Sequence, residues 1–77
     1  MNLEIVSPEK IIYSGKAEAV TLPGIKGSFT ILNRHAPLIS QLKSGLVSYR
    51  INGKKEEVII NEGFVEVIKN KVSVCIE

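Results

Sequence analysis

Residues 46–60 read LVSYRINGKKEEVII, and this stretch decides the fold class. Its first half alternates apolar with polar side chains, the period of a half-buried strand, with one face formed by Val47, Tyr49 and Ile51. Asn52-Gly53 follows, and it favours a type I′ hairpin turn because both central residues of that turn need a positive φ. The return run, Lys54 to Ile60, completes a predicted hairpin. We expect its end, Val58-Ile59-Ile60, to be covered on both sides.

Outward from this hairpin, the rest of the chain has the same short period and frequent turn residues. Asn61-Glu62-Gly63 predicts a three-residue loop with Gly63 in the left-handed conformation, and Lys69-Asn70 predicts a last hairpin turn. Either face of Lys16–Leu22 could be buried, and Pro37–Lys43 favours an extended course over one helical turn. The predicted strands are Leu3–Ser7, Lys10–Ser14, Lys16–Leu22, Ser28–Leu32, Leu46–Ile51, Lys54–Ile60, Phe64–Ile68 and Lys71–Ile76. This pattern predicts an all-β fold, an antiparallel sandwich or barrel of about eight to ten short strands.

One connection is expected to be long and to carry function. Residues 24–38 read GIKGSFTILNRHAPL, with two glycines, a short β-prone run, three polar residues and an Ala36-Pro37 step that favours extended backbone. We expect Pro23-Gly24 to turn the chain into this segment. Because binding residues often lie on loops held by a rigid scaffold, this segment is the predicted interaction site.

Composition limits the possible function classes. A chain of 77 residues is expected to form one domain, and 44% hydrophobic residues are enough for a core. The net charge is only +2, and the basic residues are scattered along the sequence without a basic, aromatic-rich stripe, which argues against nucleic-acid binding. One cysteine, no leader-like start and no long apolar run favour a cytosolic protein.

No catalytic, cofactor or metal site is predicted. The chain contains no Asp, so a catalytic triad lacks its usual orienting acid, and His35 is the only histidine. His35 and Cys75 are too few ligands for zinc. Glu56-Glu57 are neighbours in a strand and point to opposite faces, and Gly24-x-x-Gly27 lacks the Gly-Lys-Ser/Thr of a phosphate loop. The chain is therefore not expected to be an enzyme.

Several motifs together resemble the N-terminal domain of the epsilon subunit of F-type ATP synthases, over essentially all 77 residues. In chain order they are Leu3-Glu4-Ile5-Val6-Ser7-Pro8-Glu9, Tyr13-Ser14-Gly15, Pro23-Gly24-x-x-Gly27, Ile31-Leu32-x-x-His35-Ala36-Pro37-Leu38, Gly45, Gly53, Gly63-Phe64-x-Glu66-Val67 and Val72-x-Val74. The resemblance implies a flattened β-sandwich of two sheets. It also implies a non-catalytic rotor subunit of the central stalk, which links the gamma subunit to the membrane c-ring and couples ion-driven rotation to ATP synthesis in the catalytic head.

The same resemblance implies a peripheral position on the cytoplasmic face of the cell inner membrane, with the gamma subunit and the c-ring as partners and no cofactor. It aligns residues 24–37 with the ring-facing loops of the family, so the candidate c-ring contacts are Ser28, Asn33, Arg34 and His35. The gamma contact is expected on an outer sheet face with exposed apolar residues.

The chain departs from the family pattern in three places, one of which is Asn33, where the family commonly has Pro or Gly. Ser28 stands where the family commonly has an acidic residue associated with the ring contact. The 77 residues also contain no counterpart of the family's C-terminal helical hairpin, so residues 1–77 are predicted to be a single β-sandwich domain without the inhibitory arm. The alternative function is a free-standing β-barrel that binds nucleic acid, which would need exposed aromatic residues on a basic groove.

Overall fold

The computed structural model describes residues 1–77 and contains nine strands and no helix. The strands are β1 (Asn2–Val6), β2 (Ile11–Lys16), β3 (Ala19–Gly24), β4 (Gly27–Leu32), β5 (Leu38–Leu42), β6 (Gly45–Ile51), β7 (Lys54–Ile60), β8 (Gly63–Ile68) and β9 (Lys71–Ile76). The all-β prediction is confirmed, and so is the extended course of residues 37–43. Strand β2 runs through Ser14-Gly15 to Lys16, two residues beyond its predicted end.

All nine strands belong to one continuous hydrogen-bonded sheet, which curls over into two layers that we call sheet I and sheet II. Sheet I has the order β2-β1-β9-β8-β5, and sheet II has the order β4-β3-β6-β7. They are joined at one corner, where Gly24 of β3 pairs with Leu42 of β5. All pairs are antiparallel except β1 with β9, which is parallel. The predicted antiparallel sandwich is therefore confirmed apart from this one parallel pair, which the sequence did not indicate because local turn signals do not determine how strands far apart in sequence meet.

The core lies between the inner faces of the two sheets. Alternation along each strand directs one set of side chains inward, and no polar or charged side chain is buried. In β3 the buried face is Val20 and Leu22, which settles the face that the sequence left open. The sixteen buried core residues are Met1, Leu3, Ile5, Ala17, Val20, Leu22, Ile31, Leu42, Val47, Tyr49, Ile60, Val65, Val67, Val72, Val74 and Ile76.

Two tight turns have the backbone that their sequences predict. Asn52 and Gly53 have φ of 50° and 79°, and Lys69 and Asn70 have φ of 50° and 62°. Positive φ at both central positions is the requirement of a type I′ turn. Asn and Gly adopt this conformation readily, whereas a lysine at the first position is less favourable. Both hairpins are confirmed.

The predictions for residues 58–63 were wrong. Strand β7 is an edge strand that pairs only with β6, and Ile59 is 81% exposed on the outer face of sheet II. Gly63 is the first residue of β8 and has no left-handed φ, and β7 and β8 are not neighbours, since the chain crosses there from sheet II to sheet I. This position requires glycine because there is no room for a side chain: a Cβ would collide with the carbonyl oxygen of Cys75.

The long connection predicted from Gly24 to Leu38 is mostly a hairpin in the structure. Pro23 and Gly24 end β3, and a two-residue turn at Ile25-Lys26 leads directly into β4. Gly24 lies so close to β4 that a Cβ would come within 2.7 Å of both the Gly27 carbonyl oxygen and the Phe29 ring. The only real loop in this segment is therefore residues 33–37, between β4 and β5.

Candidate functional site

All connections between strands lie at two opposite ends of the sandwich. We call them the Arg34 end and the Ser28 end. The Arg34 end contains the connections at residues 17–18, 33–37, 52–53 and 69–70. The Ser28 end contains the connections at residues 7–10, 25–26, 43–44 and 61–62.

The four candidate contact residues do not form one site. Ser28 is the second residue of β4, where it pairs with Pro23, whereas Asn33, Arg34 and His35 follow the other end of the same strand. Asn33 lies five positions after Ser28, and five steps of extended chain at roughly 3.4 Å each span about 17 Å. A single planar surface of a partner can contact only one end of the sandwich. The candidates therefore form two groups, Ser28 alone and Asn33, Arg34 and His35 together.

The group at the Arg34 end is held by backbone and side-chain hydrogen bonds. The Met1 nitrogen donates to Asn33 Oδ1 at 2.6 Å, and the Arg34 N–H donates to Asn70 Oδ1 at 2.9 Å. Arg34 itself has a φ of 63°. The loop is thus tied to the start of β1 and to the turn between β8 and β9, and the Arg34 side chain is exposed.

His35 lies in the same loop and is exposed. Its Nδ1 lies 2.8 Å from the Ala36 carbonyl oxygen. A carbonyl only accepts, so this hydrogen bond places a proton on Nδ1 and leaves Nε2 directed away from it. The Ala36 carbonyl oxygen is the only hydrogen-bond partner of the ring in the structure, so no carboxylate orients the imidazole as in a catalytic triad.

Only one of the four candidate contact residues, Ser28, lies at the Ser28 end. Ser28 is exposed, and its hydroxyl makes no hydrogen bond within the protein, so it is free to donate or accept. The adjoining turn exposes Ile25 and Lys26, and Lys43 follows β5 at the same end. The Lys43 N–H donates to the Pro23 carbonyl oxygen at 2.9 Å, which fixes these two connections beside each other.

An exposed apolar row crosses the outer face of sheet I, and we call it the apolar strip. Val6 pairs with Ile11 on one side and with Cys75 on the other, and Cys75 pairs with Phe64. Ile11 and Phe64 are 62% and 49% exposed. A cleft of about 430 Å³ lies along this row and is also lined by Pro8. Sequence reasoning missed the strip, although each member occupies an outward position of its strand.

The aromatic residues do not form a ligand platform. The Tyr13 and Tyr49 rings lie 4.9 Å apart against the core, and Phe29 is also packed there. Burial raises the pKa of the Tyr49 phenol, with a smaller contribution from Glu56 across the strand and then from Tyr13. Among the four aromatic side chains only Phe64 is largely exposed, which argues against stacking of nucleic-acid bases.

The structure has no helix with the length and apolar character that a membrane crossing would need.

Comparison with known proteins identifies a family. A family model described as "ATP synthase, Delta/Epsilon chain, beta-sandwich domain" matches residues 1–77. The chain is 42% identical to an ATP synthase epsilon chain of a Nitratiruptor species over 78 residues, which is 100% of this chain and 60% of that protein. It is 47% identical to an ATP synthase epsilon chain of Desulfitobacterium hafniense over 72 residues, 94% of this chain and 54% of that protein. The chain therefore spans little more than half the length of these relatives.

Solved structures show the same fold. A chain of the Euglena gracilis mitochondrial ATP synthase, OSCP/F1/c-ring in rotational state 1, matches with a TM-score of 0.90 at 23% identity over 96% of this chain and 48% of that chain. A chain of the Tetrahymena thermophila mitochondrial ATP synthase, central stalk/c-ring, matches with a TM-score of 0.83 at 17% identity over 97% of this chain and 61% of that chain. Because the identities are only 23% and 17%, these matches show a similar fold and nothing further.

Proposed function

The chain belongs to the β-sandwich family of ATP synthase delta and epsilon chains, and from this premise we propose that it is a central-stalk subunit of a rotary F-type ATP synthase. The observation that carries the proposal is the match of the family model to all 77 residues. In this role the domain links the gamma subunit to the c-ring and transmits rotation to the catalytic head. It contributes no catalytic group and lies peripherally at the cytoplasmic face of the membrane.

We propose that the gamma subunit binds the apolar strip. The row Ile11, Val6, Cys75 and Phe64 runs across four neighbouring strands of sheet I, and the cleft beside it offers space for side chains of a partner. Burial of exposed apolar area stabilises a complex by about 25 cal/mol per Å² before the costs of association. An aromatic side chain at the end of such a row is the usual type of residue that dominates binding energy, which makes Phe64 the first residue to test.

We propose that the c-ring contact is made by the Ser28 end. The resemblance associates the position of Ser28 with the ring contact, and the free hydroxyl there can bond polar groups of the ring loops. Lys26 and Lys43 are exposed beside it. Asn33, Arg34 and His35 lie at the other end and would contact the ring only if the domain were inverted. The two orientations make different predictions for cross-linking.

Calorimetric titration with the gamma subunit of the same organism tests the first contact. We expect saturable one-to-one binding with a negative heat-capacity change, the mark of apolar burial. Phe64→Glu should weaken binding at least tenfold. Ile59→Glu is the matched control, since Ile59 is an exposed apolar residue on the outer face of the other sheet. Absence of binding by the folded wild-type chain, or equal loss in both variants, would contradict this contact.

Site-specific cross-linking in membranes tests the second contact. Cys75→Ser removes the only native thiol, after which Ser28→Cys and His35→Cys each carry a short photoreactive group. We expect a product with the ring subunit from position 28 and none from position 35. The reverse result would assign the ring to the Arg34 end, and no ring product from either position would refute the linking role.

A further inference from the structure

The fold gathers the basic residues at one end, although they are scattered in the sequence. Seven of the ten basic residues lie in the connections of the Arg34 end or in the two strand positions next to them, whereas only one of the eight acidic residues, Glu18, does. The seven are Lys16, Arg34, Arg50, Lys54, Lys55, Lys69 and Lys71, and all are exposed. We call them the basic end cluster. The Ser28 end is balanced, with Lys10, Lys26 and Lys43 against Glu9, Glu62 and Glu77.

Strand pairing explains this convergence. Asn2 of β1 pairs with Lys16 on one side and Lys71 on the other, so the two lysines lie two strand spacings apart, about 10 Å. In sheet II, Arg50 pairs with Lys55 at the start of the neighbouring strand. These separations are close to the Debye length of about 8 Å at physiological salt, so the charges act together on an approaching partner.

Most of this charge is uncompensated within the protein. The one ion pair in the structure joins Lys55 Nζ to Glu57 at 3.5 Å. The Glu18 carboxylate lies at the same end, and its Oε1 accepts a hydrogen bond from the Gly53 N–H at 3.1 Å. The cluster therefore presents a net positive surface on a domain measuring only 26 × 23 × 19 Å, and its like charges repel one another when nothing is bound.

We infer that the basic end cluster binds an acidic surface of a protein partner within the ATP synthase. Electrostatic complementarity of this kind sets the orientation and the rate of association. Aliphatic side chains at the same end, Leu32 and Ile68, are also exposed and give the mixture of apolar and charged contacts that protein interfaces have. The partner offers several carboxylates on a folded surface.

A protein partner fits this end better than nucleic acid or lipid. A single-stranded nucleic acid would need aromatic side chains for stacking, and none of the aromatic residues lies in the connections of this end. A lipid surface is disfavoured because the proposed ring contact is at the Ser28 end, which turns the cluster away from the bilayer. In this respect the inference rests on the proposed function.

Two triple variants with the same change in net charge test the inference. Lys16→Glu, Lys69→Glu and Lys71→Glu together reverse part of the cluster, and Lys10→Glu, Lys26→Glu and Lys43→Glu together are the matched control at the other end. Each is titrated onto a head-plus-gamma complex of the same organism that lacks the ring and its own copy of this chain, so that the Ser28 end is free. Far-ultraviolet circular dichroism checks that both variants are folded.

We expect the cluster variant to bind about tenfold more weakly or worse at 50 mM salt, with the difference shrinking at 300 mM, and the control variant to bind like the wild type. A carbodiimide, which joins lysine amines to carboxylates, should connect Lys69 or Lys71 of the wild type to an acidic residue of another subunit. Equal binding by both variants, or only internal cross-links, would overturn the inference while leaving the stalk role intact.

Two further outcomes would also decide the matter. Failure of the folded wild-type chain to bind the complex at all would overturn the stalk role together with the inference. Tighter binding of the wild type to vesicles with 30% phosphatidylglycerol, or to a 20-nucleotide single strand, than to the complex would replace the protein partner by a lipid or a nucleic acid.

Discussion

Lys69→Asn should make the protein more stable while it removes one charge from the basic end cluster. Lys69 occupies the first central position of the turn between β8 and β9 with a φ of 50°. An ordinary side chain in this left-handed conformation costs about 1–2 kcal/mol, and asparagine adopts it much more readily. If asparagine relieves about half of that cost, the free energy of unfolding rises by about 0.5–1 kcal/mol. For a domain of this size the melting temperature then rises by roughly 2–8 °C.

Thermal and urea unfolding followed by circular dichroism measure this effect. Lys69→Gln is the matched control, because it removes the same charge and keeps an unbranched side chain that gains nothing in the left-handed conformation. We expect Lys69→Gln to change the melting temperature by less than about 2–4 °C and by less than Lys69→Asn does, since exposed substitutions usually change stability by less than 0.5 kcal/mol. Equal stabilisation by both variants would show that relief of charge repulsion, and not of backbone conformation, is responsible. No stabilisation by Lys69→Asn would refute the reasoning.

Three further predictions concern the core, the sheet crossing and pH. Gly63→Ala should lower the free energy of unfolding by about 1–3 kcal/mol in urea titrations, because the added methyl group meets the backbone of β9. Ile31→Val should cost about 0.5–1.5 kcal/mol at a fully buried position, whereas Ile59→Val should cost almost nothing in the same assay. The raised pKa of Tyr49 means that the unfolded chain loses this proton first, so stability is retained below about pH 10 and falls as pH rises beyond it, and Tyr49→Phe should reduce that fall in alkaline melts.

The local parts of the fold could be predicted from the sequence because they depend on neighbouring residues. Alternation identified the face of β6 that contains Val47 and Tyr49, and Asn52-Gly53 identified the turn after it, since both signals act within a few residues. Ile59 was mispredicted because an apolar run looks the same whether it is a central strand or an edge strand. The parallel pairing of β1 with β9 has no local signal at all.

The candidate site was predicted less completely, and for the same reason. The sequence suggested one long functional loop from residue 24 to 38, but pairing of β3 with β4 turns most of it into a hairpin and separates Ser28 from His35. The apolar strip and the basic end cluster each combine residues from several strands. Such surfaces depend on strand order. Composition gives only the net charge of the whole chain, +2, and not where the charges lie.

The parallel pairing of the first strand with the last has a consequence for synthesis on the ribosome. Sheet II uses strands from within residues 19–60, so all its members emerge before β8 and β9 are made. Strand β1 emerges first, but its partner β9 is the last of the nine strands, and β2 alone gives it only a two-stranded hairpin, which is marginally stable in water. At a synthesis rate of about 5–20 residues per second, Leu3 and Ile5 stay exposed for several seconds before β9 is made. We expect the nascent chain to form sheet II early, to expose the inner face of β1 until β9 has emerged, and to depend on protection of β1 during that interval.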